Sequence, residues 1–566
     1  MQANLTQPHV FAPALGVPSS QSGMATLDRL YVVRPRRWLW VIAALYLVVA
    51  VRFAIQTPPW QAPDEPAHYN YIAHIAQNYS LPVLMMGDYD EKYKAVLVKA
   101  GFPTEMSIAP LRYESYQPPL YYLTATPFYW LSQGHLLWLR FYNVVLGLGV
   151  ILLIYRCLET VFPHKPLINL GATAFAASLP MHVAVAAAVN NDVLAELWVV
   201  AALLALFQWM RSQFYNADPL DSGASHRQLV LLGVILGLGL LTKIYAYLLV
   251  PICALAIVGV VWRNQRTWHS VLQGISLALW TVIPALLLGL PLWLRNARLY
   301  GLPDLLGLAW HDKVVVGQAR TADWLAQYGW EAYSERAFRL TFQSFWGVFG
   351  WLGVFMDQRI YTATLIFSGI LFLGLLWALV RLISGTPDTD MDEFQQWVLG
   401  LLGIMLIAVV ASYAWYNIKF VQHQGRYLFW GLLPIGTIVA LGWREVMQPL
   451  QGAIAGFLAL VLAVSLGLAG YIAGDINKWT LLTLFLIALF LLCQPVLLGG
   501  TEEYQNKWLP TRLRQTMARP GAVRILNMLR FCAWATPFAL LFLLDFLIPA
   551  LYLLPQLGYS WSALGG

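Results

Sequence analysis

The sequence predicts an all-α integral membrane protein, a polytopic helical bundle of about thirteen spans. Three observations predict it. Of 566 residues, 59% are hydrophobic and only 11% charged, less than half of the ~25% charge a soluble domain carries. Apolar runs of about 20 residues recur along the chain, each long enough to cross a hydrocarbon core of ~30 Å. Basic residues gather in short stretches between alternate runs, as topology demands of loops on one side of a membrane. The net charge of +7 is therefore a topology signal and not a nucleic-acid one. Cys157, Cys253, Cys493 and Cys532 lie within or beside apolar runs and offer neither a disulfide framework nor a metal spacing.

Residues 1–30 contain Gln, Pro and Ser around no apolar core, so they are expected to be a disordered cytoplasmic tail and neither a signal peptide nor a span. Spans follow near 38–56, 137–160, 167–188, 193–211, 228–242, 245–262, 271–292, 360–382, 396–414, 427–443, 452–473, 480–499 and 532–554. Arg29, Arg34, Arg36 and Arg37 precede the first. Arg156, Lys165, Arg211, Arg227, Arg263, Arg266, Arg381 and Arg444 fall in loops on the same side, as do Lys507, Arg512, Arg514, Arg519, Arg524 and Arg530. The bias puts the N-terminus in the cytoplasm, and an odd span count puts the C-terminus outside. Two long segments, 57–136 and 293–358, then face outward, and loops of that length carry function or structure of their own.

The first of these loops predicts a helix from Asp64 to Tyr79. Ala67, Tyr71, Ile75 and Tyr79 recur at helical spacing while Asn70, His74 and Gln77 fall opposite. Such a helix would lie in the interface plane, apolar face down. The second loop carries Trp310, Trp324, Trp330, Trp346 and Trp351, whose rings suit the headgroup level and could stack on sugar faces. No internal repeat marks an inverted-repeat transporter.

Asp64 and Glu65 admit two readings. In one, Asp64 caps the helix, Glu65 complements its dipole and Pro66 occupies the first turn, where its missing N–H costs nothing. In the other, a carboxylate is a general base that takes the proton of an attacking hydroxyl, an effect that supplies ~10² to 10⁴ in rate. The two are compatible. Asp88-Tyr89-Asp90-Glu91 has the form of a metal-binding DxD but sits among Lys92, Lys94 and Lys99, where a solvated loop is the better reading. His68 and His74 fall on different helical faces and suit no shared zinc site. Asn78-Tyr79-Ser80 fits a glycosylation sequon.

The phrase Pro63-Asp64-Glu65-Pro66-Ala67-His68-Tyr69, followed by Tyr116-Gln117-Pro118-Pro119-Leu120-Tyr121-Tyr122, resembles a bacterial branch of the GT-C superfamily of polytopic glycosyltransferases, which use polyprenyl-phosphate-linked sugars. Asn190-Asn191-Asp192, Leu241-Thr242-Lys243, Arg295-Asn296 with Tyr300-Gly301, and Gln424-Gly425-Arg426-Tyr427 extend the resemblance to about residue 445. It implies a GT-C type bundle with interfacial helices in the first loop, in which 31–445 is the catalytic module and 446–566 an added set of C-terminal helices. It implies an inverting transfer of a monosaccharide to a cell-envelope glycan or glycolipid, less readily a protein, at the outer face of a bacterial plasma membrane. Asp64 is then the base, with Glu65 its neighbour or alternative, and Asp192 a second acidic residue shaping the site, since an acidic residue at membrane depth is costly without a role; its alternative is a helix N-cap. Arg426, Lys243 and Arg295 would hold the donor phosphate, with Arg140 a weaker candidate, because a cation aimed at the departing oxygen stabilises the transition state most. His68, Tyr69, Glu114, Gln117, Asn191, Gln424 and Tyr427 are the expected substrate contacts. No metal is obligatory on this reading, although Asp64, Glu65 and Asp192 could offer oxygen ligands to a divalent ion. A lipid or glycan transporter, the main rival, would spread its charges along mid-bilayer positions, whereas here they collect at one end. A non-catalytic envelope scaffold of the same ancestry is the third reading.

Overall fold

The computed structural model describes residues 34–215, 222–384, 391–493 and 510–558. Among them, eleven helices are long and apolar enough to cross a membrane, or twelve if one bent pair counts as a span. The tail at 1–30 lies outside the described residues.

Helix α1 (Pro35–Gln56) opens on a proline in its first turn and buries the stripe Leu39, Ile42, Ala43, Tyr46, Val49, Ala50 and Phe53, the spacing of one helix face. The first outer segment holds α2 (Glu65–Asn78), α3 (Glu91–Ala100), a short 3-10 turn (Tyr113–Tyr116) and α4 (Leu120–Leu131). Then come α5 (Leu136–Val161), α6 (Pro166–Ala177), α7 (Pro180–Ala186), α8 (Asp192–Tyr215), α9 (Gly223–Leu240), a 3-10 turn at Ile244–Leu248, α10 (Leu249–Gln265) and α11 (Trp268–Tyr300). Gly147 lets α5 meet α1, since a Cβ there would stand 2.1 Å from the Tyr46 hydroxyl. The second outer segment carries α12 (Leu308–Val314), α13 (Thr321–Gly347) and a two-stranded antiparallel pair, β1 (Val348–Phe349) and β2 (Val354–Phe355). The remainder is α14 (Gln358–Ser384), α15 (Glu393–Lys419), a 3-10 turn at Gly425–Gly431, α16 (Leu432–Val446), α17 (Pro449–Ala473), α18 (Lys478–Leu492), α19 (Thr511–Met517) and α20 (Pro520–Ile548).

One difference from the expected thirteen spans has a physical cause. The run at 167–188 is broken, α6 and α7 meeting at 63°. Pro180 cannot continue the hydrogen-bond ladder, and His182 Nδ1, 2.9 Å from Ala176 O, meets the carbonyl that the missing Pro180 N–H releases. Of the run at 480–499 the described part forms α18, 15 residues long; positions 494–499 lie outside the described residues.

The two outer segments are fastened together over one end of the bundle. Trp351 Nε1 donates to Trp60 O (3.0 Å), Trp310 Nε1 to Leu84 O (2.8 Å), and the Leu84 N–H to the Tyr300 hydroxyl (3.2 Å). Trp310 and Trp351 therefore act as staples between loops, and Trp346 is buried, whereas Trp330 is exposed. α2 differs as well. Its Ala67, Tyr71 and Ile75 are buried, with Tyr71 stacked on Tyr122 of α4 at 3.7 Å, so the apolar face packs on protein instead of lying on lipid. Tyr79, assigned to the same face, ends the helix and is exposed.

Candidate active site

The chain leaving α1 turns sharply into α2, and one buried network fixes that turn. Arg140 of α5 and Glu65 are both fully buried and form a bidentate pair, Nε to Oε1 at 2.8 Å and Nη2 to Oε2 at 2.7 Å. Arg140 also donates to the carbonyls of Ala54 (2.9 Å), Thr57 (2.6 Å) and Pro58 (3.2 Å), which the end of α1 would otherwise leave without donors. Glu65 in turn accepts the backbone N–H groups of Trp60 and Val189, each at 3.1 Å. These contacts use both carboxylate oxygens of Glu65 within the protein. Arg140 is likewise enclosed and reaches no surface where a phosphate could meet it.

Asp64 points elsewhere. Its φ is +67°, a left-handed conformation that Asp tolerates better than most residues, and its side chain makes no cap on α2. Instead Tyr113 Oη donates to Oδ1 (2.9 Å) and Arg426 Nη2 to Oδ2 (2.6 Å). Burial by itself would raise the pKa of Asp64, but the Arg426 guanidinium and its hydrogen bond, with His68 and Tyr113, outweigh it and hold the carboxyl at about 2. Arg426 stands on the turn that opens with Gly425. A Cβ at Gly425 would lie 2.3 Å from the Phe345 backbone nitrogen, and the Gly425 N–H donates to Ser344 Oγ (2.8 Å), so glycine is what lets this turn press against α13.

A second carboxylate–cation pair stands alongside. Lys243 Nζ lies 2.6 Å from Asp192 Oδ1 and donates to Asn191 Oδ1 at 2.8 Å. Asn190 supplies the cap at the start of α8, its Oδ1 accepting the Asp192 N–H (3.0 Å), which leaves the Asp192 carboxylate for Lys243. The pairs are partly open, with side-chain exposures of 27% and 11% for Asp64 and Arg426 and 21% and 18% for Asp192 and Lys243, enough for a small ligand to reach.

His68, one turn into α2, is flanked by both pairs. Burial, with Lys243 and Arg426 nearby, pushes its pKa down to about 3 against the pull of Asp64 and Asp192, so the ring is neutral at physiological pH and its Nδ1 lies 2.9 Å from the Tyr122 hydroxyl. Glu114 faces the same groups. Burial, then the Asp64 charge, push its carboxyl up to about 7 against Lys243 and a Gln117 hydrogen bond, and its Oε2 is buried with no hydrogen-bond partner. Gln117 Oε1 accepts from Asn191 Nδ2 at 3.4 Å. Tyr427 lies under Arg426, ring centroid 5.3 Å from the guanidinium carbon, and its hydroxyl and Gln424 Nε2 both donate to Gln422 Oε1, at 3.5 and 2.5 Å.

Folded Glu114 thus keeps a proton over a range in which the unfolded chain has lost it. Stability should fall as pH rises from the ordinary 4.5 to about 7 and level off above. Glu114→Gln should flatten that slope in thermal unfolding of the detergent-solubilised protein between pH 5 and 8. Equal slopes for the two proteins would show that Glu114 titrates normally.

The structure therefore brings Asp64, Asp192, Lys243, Arg426, His68, Glu114, Gln117 and Asn191 into one recess, with Tyr427 and Gln424 beside it. It does not bring in Glu65, Tyr69 or Arg295. Tyr69 donates to Gly134 O (2.7 Å) and packs on Trp60 and Tyr129. Arg295 Nη2 donates to Pro82 O (2.6 Å) and Leu81 O (3.4 Å), tying α11 to the first outer segment. Tyr113 and Tyr122 were not anticipated; the run of tyrosines around Gln117-Pro118-Pro119 was their signal. Asp88 is buried on Arg112 (2.6 Å) and Asp90 caps α3, so these carboxylates are engaged in holding the loop. Among the described residues, no three His, Cys, Asp or Glu side chains are grouped to hold a metal ion.

Residues 85–300 match the family model for dolichyl-phosphate-mannose-protein mannosyltransferase. That stretch contains Glu114, Gln117, Asp192 and Lys243 but neither Asp64 nor Arg426. No curated protein sequence matches the chain. Among solved structures, the oligosaccharyltransferase of Archaeoglobus fulgidus tethered to an acceptor peptide aligns at 14% identity and a TM-score of 0.43 over 81% of this chain and 53% of that one. ArnT from Cupriavidus metallidurans bound to undecaprenyl phosphate aligns at 14% and 0.43 over 90% and 77%. The Saccharomyces cerevisiae protein O-mannosyltransferase Pmt1-Pmt2 complex bound to the sugar donor aligns at 14% and 0.34 over 50% and 36%. The chain spans about half the length of the archaeal oligosaccharyltransferase.

Proposed function

We propose that this polytopic membrane protein is a glycosyltransferase of the GT-C superfamily that moves a monosaccharide from a polyprenyl-phosphate donor to a cell-envelope glycan or glycolipid, with inversion, at the extracytoplasmic face of a bacterial plasma membrane, a reading supported by the mannosyltransferase family match over residues 85–300. The observation that carries the reading is the pairing of two accessible carboxylates with two cations in one recess, Asp64 with Arg426 and Asp192 with Lys243. The sidedness rests on the basic loops at the opposite end of the bundle.

In this mechanism the acceptor hydroxyl attacks the anomeric carbon, its proton passes to Asp64, the new C–O bond forms and the bond to the phosphate oxygen breaks, that oxygen leaving with the electron pair. Arg426 and Lys243 meet the charge that develops on the phosphate. Arg426 then has two anions to serve. While it holds Asp64 the carboxylate is a poor base; as it turns to the donor phosphate, Asp64 loses its counter-ion and gains basicity, so base strength follows donor binding. Asp192 holds Lys243 in position, His68 presents a neutral ring between the pairs, and Glu114, Gln117 and Asn191, with Gln424 and Tyr427 beside Arg426, bound the space for substrate. Glu65, Tyr69 and Arg295 have no part in this chemistry; they hold the loop that carries Asp64.

The test is turnover. Purified protein incubated with short-chain polyprenyl-phosphate sugars and cell-envelope glycolipid acceptors should release polyprenyl phosphate. No release with any donor, alongside measured lipid translocation, would favour a transporter. Because the chain's own cations serve the phosphate, the proposal includes no obligatory metal. Turnover in excess EDTA is expected to match that with Mg²⁺ or Mn²⁺, and loss of turnover on chelation would assign part of that role to a divalent ion.

A further inference from the structure

Beside the Asp64 recess, α13 and the loop after α15 hold a second group of polar atoms that the transfer chemistry does not use. The segments that build it, 321–347 and 417–424, are described throughout. His423 is 3% exposed, and neither of its ring nitrogens has a hydrogen-bond partner. Burial, with the Arg336 charge, pushes its pKa down to about 4, so the ring is neutral at physiological pH and offers one donor and one acceptor. The loop that carries it is fixed, the Gln422 N–H donating to Asn417 Oδ1 at 3.0 Å. A buried ring with two idle nitrogens is costly unless something polar comes to meet it.

Arg336 is the cation of the group. It is half-buried, its Nε has no hydrogen-bond partner, and among the described residues no carboxylate pairs with it; Glu335 beside it is engaged with Arg339 at 3.9 Å. Burial and then the Arg339 charge push its pKa down, as expected of a guanidinium with no anion at hand. The third part is aromatic. α13 bends at Gly329, whose φ of +80° and ψ of 171° belong to a region that glycine alone enters without strain. The bend brings Trp324 from one side and Trp330 from the other onto Tyr333, centroids 5.8 and 5.7 Å away, and His423 meets the same ring edge-on at 4.8 Å. Tyr333 is pinned by its hydroxyl, which donates to Asn417 O (3.0 Å). Trp330 lies nearly parallel to Tyr333 and is 69% exposed, which leaves its other face as an open shelf. α13 is not among the helices able to cross a membrane, so the shelf belongs to the outer segment.

An open aromatic face, an unpaired guanidinium and a neutral donor–acceptor ring complement one ligand class. The polarised C–H bonds on the flat side of a sugar suit the negative face of an indole. A carboxylate or phosphate meets a guanidinium in charge-assisted hydrogen bonds, and sugar hydroxyls both donate and accept. We propose that this shelf binds an acidic sugar residue of the acceptor, its ring on Trp330, its anionic group on Arg336 and a hydroxyl on His423. Position supports the assignment. His423 stands three residues before Arg426, and Arg336 lies roughly 12 Å along α13 from Ser344, which holds the turn that carries Arg426. An acceptor chain seated on the shelf reaches the recess with a neighbouring sugar. As an acceptor site the shelf rests on the transfer function proposed for that recess; as a binding site it does not.

The experiment is isothermal titration calorimetry of the full-length protein in detergent without donor, so that binding is read apart from transfer. The probes are a short oligosaccharide ending in glucuronic acid, the same chain ending in a glucose phosphate, the same chain ending in glucose, and inorganic phosphate alone. The acidic chains should bind about tenfold more tightly than the neutral one, the tighter of the two identifying the anion, and inorganic phosphate at the same concentration should not displace them. Arg336→Gln should erase the preference for acidic chains. Its melting temperature should equal or exceed the native one, because an unpaired, half-buried cation is removed, whereas a guanidinium that served only structure would lower it. His423→Phe and Trp330→Ala should each weaken all three chains about fivefold, with melting temperature reporting that they fold. Equal binding of acidic and neutral chains, an undiminished preference in Arg336→Gln, or displacement by inorganic phosphate would overturn the proposal, the last by making the shelf a free-anion site. Absence of turnover with every donor, with acidic chains still preferred, would instead strike the transfer function and leave the shelf as a binding site.

Discussion

Asp64→Asn is expected to lower glycosyl-transfer turnover by about 10²- to 10⁴-fold, the range a positioned general base supplies, while the protein still folds. Asparagine keeps the shape, tolerates the left-handed backbone at this position and can still accept from Tyr113, so what is lost is the charge and the proton acceptor. The variant leaves Arg426 without its carboxylate partner. A donor phosphate then has no rival for that guanidinium, so donor affinity should hold or improve while kcat falls. A fall in kcat with KM unchanged or lower is the signature of a group needed in the transition state and not for binding. Turnover at the native rate in Asp64→Asn would remove Asp64 as the base and turn attention to Glu114, whose carboxyl at about 7 is better poised for proton transfer than one at about 2.

The largest effect on stability is expected from Arg140→Ala. It leaves Glu65 charged in a site with no exposure and takes the donor from three carbonyls at the end of α1. Removing one partner of a buried pair costs about 3–5 kcal/mol, enough to threaten folding of a marginally stable protein. Expression yield and thermal unfolding in detergent are the readouts. Adding Glu65→Gln to Arg140→Met should recover part of the loss, because the uncompensated charge goes with it. A single Arg140→Ala variant as stable as the native chain would mean that water enters this site and that Glu65 is less enclosed than its contacts indicate.

Hydropathy made the spans legible because a backbone in hydrocarbon must satisfy its own hydrogen bonds, so each crossing leaves a long apolar run. It failed where an apolar run is kinked. Pro180 was a visible breaker, but the residues around it are as apolar as those of a straight helix. The charged residues divide by the length of their connections. That Asp64, Asp192, Lys243 and Arg426 share an end of the bundle followed from counting spans. That Glu65 belongs to Arg140, 75 residues away, while its neighbour belongs to Arg426, 362 residues away, did not. Adjacent carboxylates are equivalent on paper, and only the turn between α1 and α2 sends them in opposite directions. Arg295 shows the same limit from the other side. A cation at the outer end of a span reads as phosphate-seeking, yet two loop carbonyls claim it.

The left-handed backbone at Asp64 makes this position answer to two unrelated demands. Geometry admits glycine, asparagine and aspartate with least strain and penalises branched residues. The proposed chemistry admits only a short side chain that can carry a negative charge. Glutamate can carry the charge but would place its carboxylate a methylene further, past the reach set by Tyr113 and Arg426. The two sets of permitted residues overlap at one member, so this site has no conservative substitute, while the neighbouring carboxylate of Glu65, enclosed and paired with Arg140, can be exchanged together with its partner.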